Sequence, residues 1–435
     1  MPQHFRQSSH DPRAHAMTIN AEWVSILKSS CPTAFKTSLD TVPVAWFVDG
    51  QIKLMKGAWI TTWEVFFQMQ FIRTIDRAFD AGAQVVIMGF DDYTHVPECK
   101  GMTQRKRNKS AKDFVYDVSK GLPEAPPVDW NAAMRNRIFK VAVIKFIVKN
   151  IKLHYKNHEK TVIVDWVGVP DVLGRPLNEN GRTLPDCVLD AESKRGECDI
   201  KAFAWTGWGP TMIESTDGDF IPLALLQTQK HPSKRIFLER ILTRTSSKRT
   251  SEGVRKRQME FVDIASLHAH VKSILPRQQN PVETLAVLIA LTGCDFCNSL
   301  PGIGPTKLWA ARHLITRLNV SSEAGALALI SHAYTKSFAT RIAPSSASDI
   351  NASASSAAQA AYVYETIIAQ IKQNLNISPL TRERIWPAAH MQNHVRNAMW
   401  TVLQYWSCLE AYENPTLPQH GYYKDSSGVC HFKID

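Results

Sequence analysis

The sequence predicts an α/β protein built on a parallel sheet, and three observations carry the prediction. Short apolar runs end in acidic residues, helically spaced stretches separate those runs, and the pattern recurs. VAWFVD (44–49) is the first run, and a helical stretch at about 57–81 follows it. AQVVIMGFDD (83–92) is a second buried strand, KTVIVDWVGV (160–169) a third, and TMIESTDGDFIPLAL (211–225) carries a fourth. Strands separated by helices argue for parallel pairing. Such sheets bind ligands beyond the carboxyl ends of their strands. That rule sets Asp49, Asp91, Asp217 and Asp219 on one rim.

At 435 residues the chain is long enough for one large domain with appended pieces. A polar extension (1–17) precedes the α/β domain (18–225). Within that domain lies a basic helical insert at about 100–155. After the Pro126-Pro127 break its second helix shows an apolar face, with Ile138, Val141, Ile144 and Phe146 opposite lysines. Residues 226–320 hold a basic loop (243–258) and an apolar helix running into a Gly-Ile-Gly turn. The basic loop reads as a solvated tip or a localisation signal. A helical C-terminal region (321–435) contains an Ala/Ser-rich insertion at about 340–360. Its aromatic stretches MWTVLQYW and GYY predict that it folds back on the main body.

Hydrophobic content of 44% and charged content of 21% are those of an ordinary soluble globular protein. The net charge of +11 favours polyanionic partners, because each neutralised phosphate releases counterions. Eight scattered cysteines read as reduced thiols in an intracellular protein. Cys294 and Cys297 form a CxxC, but no second pair completes a zinc site. His268 and His270 form an HxH near a predicted strand end and are assigned to packing or surface. The N-terminus has no apolar core for a signal peptide, and no apolar run is long enough to span a membrane.

Seven acids stand out: Asp49, Asp91, Glu197, Asp199, Asp217, Asp219 and Asp295. Any one alone reads as a cap, a turn residue or a surface charge. Gathered at strand ends they become a way to hold two Mg²⁺ ions. Such ions take hard oxygen ligands, keep several waters and assist phosphodiester hydrolysis. Asp217 and Asp219, at i and i+2 on an extended segment, face the same way. Glu197 and Asp199 would diverge on a regular helix and converge only if Glu197 sits at its cap. In LPGIGPTKLW, backbone N–H groups at the start of the next helix would make an anion site, with Lys307 in the first turn. Lys100 and Arg107 lie in KGMTQRKRNK, directly after the Asp91 strand. That run reads either as a solvated basic face or as a transition-state clamp.

With these motifs the chain resembles the flap endonuclease/XPG-type 5′ nucleases. Asp49 in FVDG and Asp91 in GFDD match the first two family acids. Glu197 and Asp199 in GECDI match the E-x-[ED] pair, Asp217 and Asp219 in STDGDF the D-x-D pair, and Asp295 in TGCDF the last acid. Lys100 and Arg107 keep the family's K-x6-R spacing. LPGIGPTKLW matches the helix–two-turn–helix. The resemblance covers residues 18–320 and implies a PIN-like sheet with a helical arch. It implies two Mg²⁺ ions, with Mn²⁺ able to substitute, and K⁺ at the Gly302–Gly304 turn. It implies DNA contacts by Gly302, Ile303, Gly304 and Lys307, catalytic roles for Lys100 and Arg107, and a DNA substrate with a duplex–single-strand junction. A monomer in the nucleus or at sites of replication is expected. Three features depart from the family. A polar extension precedes a loosely similar Met17-Thr-Ile-Asn where members begin with Met-Gly-Ile. Met55 stands where many members have a base-stacking tyrosine, and no sliding-clamp box is visible near the C-terminus. The rival expectations are an RNA-degrading nuclease of the same superfamily and a non-catalytic DNA-junction scaffold.

Overall fold

The computed structural model describes residues 12–57, 60–92, 114–186, 196–241, 259–275, 278, 280–294, 297, 299–312, 319–338, 356–373, 383, 385–406, 422–424 and 430–432. Lys100, Arg107, Asp295, the basic loop at 243–258 and most of the Ala/Ser-rich segment lie outside them. The chain divides into two compact units. One comprises 31–270 with 404–414; the other comprises 1–30, 271–403 and 415–435.

The first unit is built on β1 (Phe35–Lys36), β2 (Ala45–Asp49), β3 (Val85–Gly89), β4 (Thr161–Asp165), β5 (Asp171–Gly174), β6 (Thr211–Glu214), β7 (Ile236–Ile241) and β8 (Met259–Asp263). They form one eight-stranded sheet in the order 1-8-7-6-2-3-4-5. The five central strands, β7, β6, β2, β3 and β4, pair in parallel. The flanking pairs β4–β5, β7–β8 and β1–β8 are antiparallel. The chain builds outward from β2 to β3 and β4, then returns to lay β6 on the other side of β2. The carboxyl ends of β2 and β6 therefore flank the topological switch point, where such sheets open a crevice.

Every residue of β2, β3 and β4 is buried, as expected of strands covered on both faces. Trp46, Val48, Val86, Met88, Val162, Val164 and Met212 meet Phe66, Phe71, Ile75, Trp130, Phe139 and Ile147 in one core layer. The helices Cys198–Ala204 and Phe220–Lys230 pack together, with Phe203 and Phe220 rings 6.0 Å apart.

Several boundaries differ from the sequence reading. The sheet does not close at residue 225, because β7 extends it in parallel beyond β6 and β8 follows. The 211–225 run is a strand only to Glu214 and becomes helix from Phe220. The 57–81 stretch is not one helix. Gly57 lies under Trp130, where a Cβ would come within 2.1 Å of the indole ring. The helix starts only after Thr62, whose hydroxyl accepts the Val65 N–H, and it passes through a π-turn at Gln68–Ile72. In the insert, Asn136 caps the helix Arg137–Tyr155. The buried stripe there is Phe139, Val143, Ile144, Ile147, Val148 and Ile151; Ile138 is exposed, so the apolar face is rotated from the expected one. His268 and His270 lie in the helix Ile264–Ile274, just past β8.

The second unit is helical. Its described helices are Pro12–Ser30, Pro281–Thr292, Pro305–Ala310, Glu323–Phe338, Ala357–Gln373 and Ala388–Trp400, with a small antiparallel pair, β9 (Tyr422–Lys424) and β10 (Cys430–Phe432). The first helix begins inside the stretch expected to be a polar extension. Pro281–Thr292 is buried almost all round and forms the centre of this unit. The helix Ala388–Trp400 packs on it and on Glu323–Phe338, so this part of the C-terminal region does fold back. Among the described residues no helix is long and apolar enough to cross a membrane.

Candidate metal centre and helix-turn motif

Asp49, the last residue of β2, caps the helix Gly50–Leu54 and is buried. Its Oδ1 accepts the Gln51 N–H at 2.9 Å, and its Oδ2 lies 3.2 Å from the Ser215 hydroxyl. Ser215 Oγ also accepts the Asp217 N–H at 3.1 Å, and Asp217 Oδ1 accepts the Asp219 N–H at 3.1 Å. One short relay thus ties the end of β2 to the D-x-D loop after β6. On the other side of β2, its end and that of β3 come close because Gly50 has no side chain: a Cβ there would stand 2.5 Å from the Phe90 ring.

Asp91 follows β3 and joins the same group. Its Oδ1 accepts the Cys198 N–H at 2.9 Å, while the Asp92 N–H reaches the Gly196 carbonyl. Glu197 is the N-cap of Cys198–Ala204, in extended geometry, and Asp199 lies in the first turn. That is the arrangement in which the two can converge. Glu197 and Asp219 are buried and Asp217 is exposed. Six of the seven expected acids therefore belong to one unit, around the carboxyl ends of its central strands; the seventh, Asp295, is outside the described residues.

Burial pushes the Asp49 carboxyl up to about 7, and repulsion from Asp91 and then Asp217 adds to it. Among the described residues no lysine or arginine pairs with Asp49 or Asp91. The other buried acids of the sheet differ. Asp165 ends β4 as Asp49 ends β2, but it pairs with Lys201 at 3.4 Å and accepts the Trp205 indole N–H at 2.9 Å. Glu214 bonds Lys53 and Arg77, and Arg77 continues to Glu239. Burial works to raise Glu214, but Lys53 and Arg77 outweigh it and hold the carboxyl below its ordinary value. The rim thus carries two carboxylates, Asp49 and Asp91, that meet no basic side chain among the described residues, beside Glu197, Asp199, Asp217 and Asp219. These are hard oxygen donors, and they fit a divalent cation in both charge and donor type. Among the described residues no three such side chains already converge on one point.

Sequence reasoning missed Ser215, Lys53 and Lys201. Ser215 had a visible signal, since it sits two residues before Asp217. The partners of Lys53 and Lys201 are distant in the chain. Met55 caps the end of Gly50–Leu54 and is 38% exposed, open enough to touch a ligand.

The Gly-Ile-Gly turn lies in the other unit. Gly302 has φ +73°, Ile303 is buried and Gly304 caps Pro305–Ala310. The expected anion position at this helix start is already filled. Glu22, from the helix Pro12–Ser30, accepts the Thr306 N–H through Oε1 at 2.9 Å. Trp23 anchors that helix by an indole bond to Thr292 Oγ1 at 2.7 Å and an edge contact with Trp309. Lys307 does not project from the turn; its Nζ donates to the Gly302 carbonyl at 2.8 Å. A K⁺ ion at that carbonyl would have to displace the ammonium. The Cys297 sulfur is a free thiol buried beside Asn397 and Thr401.

No family model matches this chain, and no characterised protein matches it significantly.

Proposed function

We propose that the protein is a Mg²⁺-dependent 5′ nuclease that hydrolyses DNA phosphodiesters at junctions of duplex and single strand, in replication, repair or recombination. The observation that carries this reading is the gathering of Asp49, Asp91, Glu197, Asp199, Asp217 and Asp219 around the carboxyl ends of the central strands, with Asp49 tied to the D-x-D loop through Ser215. Ordinary folds pair buried acids with bases, as this one does at Asp165 and Glu214. Among the described residues buried Asp49 has no such partner, which is costly unless something positive is to be bound.

On this reading the sheet is PIN-like, and Asp49, Asp91, Glu197, Asp199, Asp217 and Asp219 hold two divalent ions. When bound, those ions supply charge to the attacking and leaving oxygens of an in-line displacement. The protein's own part is positioning. Ser215 holds Asp49 against the D-x-D loop, and Gly50 keeps the strand ends close. Lys100 and Arg107, in a basic arch, stabilise charge that develops on the phosphate. The Gly302–Gly304 turn grips duplex backbone, with little base readout. Met55 offers a base a less specific contact than an aromatic ring would.

The test is the double variant Asp217→Ala/Asp219→Ala, on a panel of labelled 5′ flap, nick, bubble and single-stranded RNA substrates with Mg²⁺. The wild type should cut the flap best; the variant should lose cleavage while keeping DNA binding. Substantial Mg²⁺-dependent turnover by the variant removes these acids from the chemistry. Equal or faster cleavage of RNA by the wild type replaces the DNA reading with an RNA-degrading one.

A further inference from the structure

Lys201 lies three residues into the helix Cys198–Ala204 and is 2% exposed. Its ammonium donates to the Phe90 carbonyl at 3.0 Å and to the Trp166 carbonyl, and it faces Asp165 Oδ1 at 3.4 Å. Asp165 is itself fully buried, with Oδ2 on the Trp205 indole N–H. The backbone adds one more tie, as the Phe90 N–H donates to the Asp165 carbonyl at 2.9 Å. One ammonium therefore joins three segments. These are the helix that opens with Glu197 and Asp199, the end of β3 one residue before Asp91, and the end of β4.

A buried ion pair is weak evidence for stability, because desolvating both charges costs about as much as their attraction returns. An apolar pair of similar volume would hold the core as well. It would not fix a carbonyl at each strand end relative to a helix start. The bonds to Phe90 and Trp166 are directional, and they set where Asp91 stands relative to Glu197 and Asp199.

We infer that Lys201 is a positioning residue for divalent-ion binding, holding the β3 end that carries Asp91 at a fixed distance from the Glu197/Asp199 helix start. The inference rests on the metal-nuclease reading. It predicts an effect on the metal before any substrate is present.

The test uses the full chain and Mn²⁺ alone, with affinity read from the loss of the free-ion electron paramagnetic resonance signal. Lys201→Met by itself would strand the Asp165 charge, so it is made with Asp165→Asn, whose side chain can still accept the Trp205 N–H. Circular dichroism and thermal melting establish that the double variant is folded. Its Mn²⁺ dissociation constant should rise roughly tenfold to a hundredfold, the usual size for a group that orients metal ligands. If the methionine version does not fold, Lys201→Gln with Asp165→Asn takes its place under the same criterion, since glutamine cannot serve both carbonyls with the same geometry. A folded double variant that binds Mn²⁺ like the wild type overturns the inference and leaves Lys201 as a fold element. Absence of Mn²⁺ binding by the wild type is a different failure, which removes the metal reading and this inference with it.

Discussion

Asp49 and Asp165 each end a central parallel strand, and they differ only in what surrounds them. Asp165 meets an ammonium and an indole N–H; Asp49 meets two neutral donors and the repulsion of other acids. The consequence is a pH dependence of known sign. The folded-state pKa of Asp49 is raised above its ordinary 3.8 to about 7. The metal-free protein therefore holds this stability fully below pH 4 and loses it as pH rises toward and through 7, by roughly 4 kcal/mol at most. On the proposed metal reading, a bound divalent cation would take the proton's place. Added Mg²⁺ should then raise the melting temperature much more at pH 8 than at pH 5; equal rises at both would dissociate Asp49 from the metal. The acids themselves were legible in the sequence because strand-end position and the D-x-D spacing are local. Which acids meet a buried base was not, because Lys201 lies 36 residues beyond Asp165.

At the scale of elements, the same limit explains the turn. Its glycines, its proline and Lys307 are adjacent in the chain and could be read directly. Glu22 is 284 residues away from Thr306, and only the docking of the first helix through Trp23 brings it to the N–H. A carboxylate there repels the phosphate that the turn would hold. Glu22→Gln keeps an acceptor for Thr306 and removes the charge. Duplex affinity should rise, and the log–log salt slope should steepen by up to about 0.9, the value of one added phosphate contact. Unchanged affinity and slope would mean that duplex is gripped elsewhere. The alternation of strands and helices was legible because apolar runs and helical spacing are local patterns. The break before Thr62 was not, since Gly57 packs under Trp130, which arrives from the insert and leaves no room for a side chain at 57.

For the whole molecule, one buried group in each unit responds to acid with the opposite sign. In the helical unit His394 is fully buried, its Nε2 is 2.9 Å from the Leu291 carbonyl, and the Trp386 ring meets it edge-on. Burial pulls its pKa from 6.5 down to about 4, and the neighbouring His390 adds to the pull. A depressed folded value means stability present above pH 6.5 and lost as pH falls through 4, by roughly 3 kcal/mol at most. Asp49 works in the other unit with the reverse slope. Hydrogen-exchange protection factors, which correct for the intrinsic pH dependence of exchange, can separate the two. In metal-free protein, lowering the pH from 7 to 5 should weaken protection in Ala388–Trp400 and strengthen it in β2 and β3. Mg²⁺ should restore the sheet at pH 7 and leave the helix response unchanged. Parallel changes in both units would show that they open as one cooperative block, and the assignment of each slope to its own buried group would fall.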